Sequence, residues 1–162
     1  MPKLILVCGK ICSGKTTYTK KLIKEIKAVH LSVDEISMSI YGGQVGSTHA
    51  QVVEKIIHYL FNKSIEIYNT GFNVVIDTGF WQKADRNEAN EFYKNHNIIP
   101  EWHYIDVPDE MWQKGIRKRN NDIKIGRTVD CVIDDNTMKM FLSFWETPNK
   151  DEIDVWIIND WC

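Results

Sequence analysis

The chain has 162 residues, of which 43% are hydrophobic and 26% charged, with a formal net charge of −2. This composition excludes disordered and fibrous classes, fits one domain spanning residues 1–162, and gives no global attraction to nucleic acid or anionic lipid. No apolar run approaches the roughly 20 residues of a membrane span. Too little chain precedes the first apolar run for a signal peptide, so a cytoplasmic protein without membrane contact is expected, as a monomer or small homo-oligomer. Cys8, Cys12, Cys131 and Cys162 have neither C-x-x-C spacing nor a supporting His pair. Free thiols are therefore expected rather than a zinc site.

In chain order, Leu4–Cys8 is a continuous apolar strand, the pattern of a strand covered on both faces. Lys15–Lys27 follows as a helix with Tyr18, Leu22, Ile23 and Ile26 on one face and its lysines on the solvated side. Ala28–Val33 is a second strand, and Glu35–Tyr41 a short helix that meets the loop "GGQVGS". Thr48 with Gln51 reads as a capping box for a long helix whose apolar positions Val53, Ile57, Leu60, Phe61, Ile65 and Tyr68 recur at threes and fours. Phe72–Asp77 is a third strand, Lys83–Asn95 a helix, and Ile99–Val107 a fourth strand. A helix opens at Pro108, "NNDIKIGRTVDC" reads as a loop, Asp134–Trp145 as a helix, and Ile153–Ile158 as a fifth strand. Alternating strands and helices predict right-handed βαβ units and a three-layer α/β/α domain around a parallel sheet.

The first βα turn carries the chemistry. Gly9-Lys10-Ile11-Cys12-Ser13-Gly14-Lys15-Thr16 satisfies G-x-x-x-x-G-K-[ST], the P-loop pattern, with Thr17 next on the helix. Gly9 and Gly14 let the backbone curl so that successive N–H groups point at phosphate oxygens, and the following helix adds the positive end of its dipole. Lys15 would reach the β- and γ-phosphates and the Thr16 hydroxyl would ligate magnesium. ATP and Mg2+ are thus the expected cofactors. Cys12 stands where glycine is frequent, as a packing residue or a redox-sensitive thiol. A GTPase reading weakens because "NKDE" at 149–152 puts Glu152 where aspartate is required and Asp77 is followed by Thr78-Gly79-Phe80.

With these residues in view, the chain resembles the small P-loop kinase-like proteins grouped with polynucleotide kinase, zeta toxins, chloramphenicol phosphotransferase and gluconate kinase. The resemblance spans nearly the whole chain, through "HLSVDEISMSIYG", "GFNVVIDTGFWQKADRNEANEFY", "WHYIDVPDEMWQKGIRKRN" and "FWETPNKDE". It implies a five-stranded sheet in the order 2-3-1-4-5, an acceptor pocket beside the second strand, and a lid at about 112–133. The implied activity is ATP-dependent transfer of the γ-phosphoryl group to a hydroxyl of a small acceptor. A polynucleotide 5′-hydroxyl kinase and a toxin-like or regulatory ATP-binding module are the alternatives.

The same resemblance suggests roles. Asp34 matches the aspartate that takes the proton from the attacking hydroxyl; an N-cap for Glu35–Tyr41 is the structural alternative. Asp77 would hold Thr16 or a magnesium-bound water, or be purely structural. Arg86 opens its helix against the dipole preference, which points to a phosphate or acidic acceptor, with a salt bridge near Asp85 as the alternative. Arg117, Arg119 and Arg127 fall in the lid, where guanidinium groups could neutralise transferring phosphate or simply form a solvated basic face. Arg119 is the one that aligns with the family's lid arginine. Ser37 and Met38 stand where some polynucleotide kinases carry an arginine for the acceptor phosphate, which counts against a nucleic-acid acceptor. Trp81 and Trp145 could stack on a ring or belong to the core, and His30, His58 and His103 are expected to be structural.

Overall fold

Five strands form one wholly parallel sheet in the computed structural model, which describes residues 1–42, 46–128 and 132–160. The strands β1 (Leu4–Cys8), β2 (Ala28–Ser32), β3 (Asn73–Asp77), β4 (Glu101–Asp106) and β5 (Val155–Ile158) lie in the order β2-β3-β1-β4-β5. The order is the expected one. β1 is central, and all five of its residues are buried, which is why it is an apolar run without polar alternation. Its side chains alternate between faces: Leu4, Leu6 and Cys8 join Phe61, Tyr93, Trp102 and Tyr104, whereas Ile5 and Val7 join Leu22, Val75 and Ile105.

Helix α1 (Lys15–Ile26) covers the second of these faces through Leu22, and its Lys20, Lys21 and Lys24 are exposed. Helices α3 (His49–Asn69) and α4 (Lys83–Lys94) cover the first through Phe61, Ala89 and Tyr93. Helix α2 (Val33–Tyr41) brings Val33 against Ile56 and Leu60 of α3. Helix α5 (Asp109–Lys124) packs through Trp112 and Ile116 on Val107 and Ile133. Helix α6 (Asp135–Phe144) has no buried residue. No described helix is long and apolar enough to cross a membrane.

Three local expectations are corrected. Helix α2 begins at Val33, because the Ser32 hydroxyl accepts the Glu35 N–H at 3.2 Å. Ser32 is therefore the cap, and Asp34 lies within the first helical turn, where a negative charge suits the dipole. The Thr48 side chain makes no cap bond at α3; a 3₁₀ turn, Gly46–Thr48, leads into that helix instead. Residues 120–124, read as loop, continue α5, since nothing before Gly126 (φ 75°) interrupts the helix. The Asn120 amide then ties the helix end to the Ile133 backbone, donating to its carbonyl at 2.7 Å and accepting its N–H at 2.8 Å. Residues 43–45 of the glycine loop, 129–131 of the expected lid, and Cys131 and Cys162 lie outside the described residues.

Candidate active site

The sheet order puts the turn between β1 and α1 at the carboxyl end of the central strand, where ligands of open α/β sheets bind. Its backbone curls through left-handed conformations at Cys12 (φ 56°) and Gly14 (φ 91°). Glycine is required at position 9 by close approach: a Cβ there would lie 2.7 Å from Ser13 Oγ and 3.0 Å from the Ile105 carbonyl oxygen. Two side chains from elsewhere pin the loop. Trp112 Nε1 donates to the Ile11 carbonyl at 2.7 Å, and the fully buried Asn159 donates its amide to the Ser13 carbonyl at 2.6 Å. Ser13 Oγ is itself buried without a hydrogen-bond partner, an orphan donor inside the phosphate cradle. Lys10 is held outside the cradle, its ammonium 3.5 Å from Asp109 and 4.8 Å from the centre of the Trp112 ring.

Lys15 folds back over the loop, its ammonium donating to the Gly9 and Lys10 carbonyls, each at 2.8 Å. Burial pulls its pKa below the ordinary 10.5, and the carboxylates of Asp77 and then Asp34 oppose that shift. The ammonium thus rests on neutral carbonyls inside the loop. Asp77, 7% exposed at the end of β3, and Asp34, exposed in the first turn of α2, thus share the field of Lys15. Thr16 and Thr17 are exposed at the start of α1. Among the described residues no group of three or more His, Cys, Asp or Glu could cage a metal ion. Thr16 and Asp77 supply the hydroxyl and single carboxylate that a magnesium ion held mainly by waters and phosphate oxygens would use.

The lid arginines separate. Arg119 Nη1 reaches Cys12 Sγ at 3.8 Å, placing one guanidinium on the P-loop. Arg117 is exposed and donates to the Gln113 carbonyl of its own helix, and Arg127 is exposed and 3.5 Å from Asp122, the solvated arrangement that is the alternative to a phosphate role. On a helix, residues 117 and 119 point to different sides, so only one of them could meet the loop. Cys8, by contrast, is buried in the core, and that burial pushes its thiol up to about 12.

Arg86 makes its contacts within the protein. It is 2% exposed, its Nε donates to Glu152 at 2.9 Å, and its Nη1 donates to the Phe80 and Glu146 carbonyls at 3.1 Å each. These bonds tie the β3 exit to the segment before β5 and hold the guanidinium within the protein. Trp81 lies edge-on to Phe141 of α6 at 4.7 Å, beside Lys10, Ile11, Trp112 and Trp145. Its indole is so close to Gly79 that a Cβ there would fall 1.7 Å from Trp81 Nε1. Trp145 stacks on Tyr104 at 5.9 Å.

A family model described as an AAA domain matches residues 4–140. The chain belongs to the AAA domain family. A search of curated proteins gives no significant match. Among solved structures, a Chloroflexus aurantiacus protein assigned provisionally as a kinase is 17% identical, with 98% of this chain and 84% of that one covered and a TM-score of 0.73. Kti12 of Chaetomium thermophilum, solved with ADP-AlF3, is 17% identical over 98% and 89% of the two chains, with a TM-score of 0.71. A chain of the Pnkp1/Rnl/Hen1 RNA repair complex is 21% identical, with 88% of this chain and 43% of that one covered and a TM-score of 0.69. These likenesses establish the P-loop kinase-like fold that the AAA domain shares with them.

Three residues at the site carried no strong signal in the sequence. Asn159 was hidden in "WIIND", directly after an apolar strand. Trp112 is buried among apolar side chains, yet its indole N–H holds the P-loop. His30, read as structural, stands between two carboxylates: Nε2 is 3.7 Å from Asp77 and Nδ1 is 3.9 Å from Glu35.

Proposed function

We propose that this AAA-domain protein is an ATP-dependent phosphotransferase that moves the γ-phosphoryl group to a hydroxyl of a small acceptor. The observation that carries the reading is the Lys15 ammonium, folded into the P-loop within the field of Asp77 at the end of β3 and Asp34 in the first turn of α2. One cation for the phosphate chain, one carboxylate on the metal side and one toward the solvent is the charge arrangement that phosphoryl transfer needs. In this reading the loop amides, Ser13 and Lys15 hold the phosphates, and Arg119 closes on them from α5. Magnesium, held through Thr16 and Asp77, would supply charge neutralisation at the β- and γ-oxygens. Asp34 orients the acceptor hydroxyl and takes its proton as its oxygen bonds to the γ-phosphorus. The bond to the bridging oxygen breaks, and ADP leaves. The similar fold of Kti12, solved with ADP-AlF3, supports nucleotide in the cradle.

A second reading, transfer to a nucleic-acid 5′-hydroxyl, is favoured by one observation: Lys114, Arg117, Lys118 and Lys124 are all exposed on α5. Acceptor-dependent ADP formation from ATP·Mg, screened across sugars, nucleosides, antibiotics and oligonucleotide ends, tests the proposal. Stimulation by small hydroxylated compounds that is abolished in Lys15→Ala is expected. A folded protein whose ADP formation no acceptor stimulates would refute the transferase reading.

A further inference from the structure

All five strands run parallel, so their amino ends share one pole of the sheet and the phosphate-binding turn lies at the other. A strand of five residues separates the two poles by roughly 17 Å. At the amino pole, Ile99 is 95% exposed before β4 and Phe72 is 61% exposed before β3. Local structure turns both outward. Ile98 and Pro100 on either side of Ile99 are buried, which leaves Ile99 facing solvent, and Phe72 follows a left-handed turn at Gly71 (φ 89°). The pairings Leu4↔Val74 and Ile5↔Glu101, continued two residues outward, set Phe72 beside Pro2 and Ile99 beside Lys3. Lys3 is fixed between them, its N–H donating to Asn73 Oδ1 at 2.8 Å and its ammonium 2.9 Å from Glu101. Neighbouring strands lie about 4.8 Å apart, so Phe72, the exposed Met1 and Ile99 form one apolar row across β3, β1 and β4.

The charge around this row differs from that of the whole chain. Helix α1 ends at the same pole, where Asn73 Nδ2 donates to the Ile26 carbonyl at 2.6 Å and so brings Lys27 next to the Phe72 turn. Lys20, Lys21, Lys24 and Lys27 are all exposed on or just after α1. Glu25 and Glu101, the acids set among these lysines, are paired with Lys21 at 3.9 Å and Lys3 at 2.9 Å. Among the described residues Lys20, Lys24 and Lys27 make no ion pair. The net charge of −2 thus conceals a local positive excess on the side of β2, β3 and β1, while Asp151 and Asp154 lie at the β5 end. Shape and charge together select the partner. The apolar tips project from three separate segments, to which a fluid interface conforms, whereas a folded partner would need a matching pocket for each. A second copy across a two-fold axis would set this patch against itself and bring lysines toward lysines. An anionic lipid surface attracts the lysines and takes up the tips.

We infer that this pole docks on an anionic membrane surface, with Phe72 and Ile99 entering the interface and Lys3, Lys24 and Lys27 at the headgroups, while the phosphate site faces away from the bilayer. The inference is independent of the phosphotransferase reading. The full chain is sedimented with vesicles of phosphatidylcholine alone, or of equal parts phosphatidylcholine and phosphatidylglycerol, at low and moderate salt. Binding to the anionic vesicles should exceed binding to the neutral ones by about tenfold or more and weaken as salt rises. Each lysine near such a surface strengthens binding about fivefold, so Lys24→Glu with Lys27→Glu should weaken it by about 25-fold or more. Phe72→Ser with Ile99→Ser should weaken it by about tenfold at both salt concentrations. All four side chains are exposed, so both double variants should melt like the wild type. No binding to anionic vesicles, equal binding to both vesicle types, or undiminished binding in either folded double variant would overturn the inference. Oligonucleotide binding and sedimentation at rising protein concentration test the other partners. Without vesicle binding, oligonucleotide affinity lost in Lys24→Glu with Lys27→Glu would overturn the inference in favour of nucleic acid. A dimer lost in Phe72→Ser with Ile99→Ser, again without vesicle binding, would overturn it in favour of a second copy.

Discussion

Arg86→Ala separates a structural guanidinium from a substrate-binding one. The substitution removes a side chain that is 2% exposed and leaves Glu152, 15% exposed at its side chain, with the Phe80 and Glu146 carbonyls that Nη1 had satisfied. Breaking a buried ion pair from one side costs about 3–5 kcal/mol, because the remaining charge is stranded. Folding stabilities are about 5–15 kcal/mol, so the loss is a large fraction of the total. At about 2–4 °C per kcal/mol for a chain of this size, the midpoint should fall by roughly 6–20 °C. Thermal and urea unfolding of the purified variant measure it. Glu152 gives an independent check. Burial opposes its ionisation but is outweighed by the Arg86 hydrogen bond and the Asn149 N–H, so its pKa is held below 4.5. A carboxylate with a depressed folded pKa adds stability above the unfolded value and loses it as pH falls through the folded one. That acid-side loss should flatten in Arg86→Ala. A variant that melts within about 2 °C of wild type yet loses acceptor turnover would refute the reasoning and return Arg86 to the site.

Lys15→Ala should melt like the wild type and lose ATP·Mg binding and turnover together; turnover persisting in the folded variant would remove the P-loop from the mechanism. Asp34→Asn should keep fluorescent-ADP affinity while kcat falls by about 10²-fold or more, whereas Asp77→Asn should raise the magnesium requirement; exchanged phenotypes would exchange the two roles. Iodoacetamide should inactivate through Cys12 with protection by ATP·Mg, and peptide mapping decides whether the label tracks activity. Burial holds the His103 pKa below its ordinary 6.5, so the unfolded chain binds its proton first and stability should decline as pH falls from about 6.5. His103→Gln should lessen that decline in melts across the range, and an unaltered pH profile would contradict the assignment.

Much of this was written in local sequence. β1 reads as an uninterrupted apolar run because both its faces are covered, and the P-loop spacing is fixed by what a curled backbone and a lysine must reach. The end of α5 was not legible, since "NNDIK" lacks a strong helix pattern and is held by Asn120 bonding 13 residues ahead. Arg117 and Arg119 already fell on the expected helix, but which of them meets the P-loop depends on how that helix packs. Arg86 was ambiguous in sequence for a similar reason: a charge placed against the helix dipole suggested a ligand, while its ion-pair partner Glu152 lies 66 residues away. Asn159 and His30 matter through neighbours that only the sheet order brings near. Asp34 does follow directly on the second strand, and the capping role weighed as its structural alternative belongs to Ser32.

Transfer of labelled oxygen tests the central claim most directly. ATP carrying ¹⁸O at every γ-oxygen would be incubated with the protein, magnesium and a stimulating acceptor, and the product analysed by mass spectrometry. The account predicts a phosphorylated acceptor that retains its own hydroxyl oxygen and gains the three non-bridging labelled oxygens of the γ-phosphoryl group, with no such product from Lys15→Ala. Label appearing only in inorganic phosphate, with the acceptor unmodified, would contradict it.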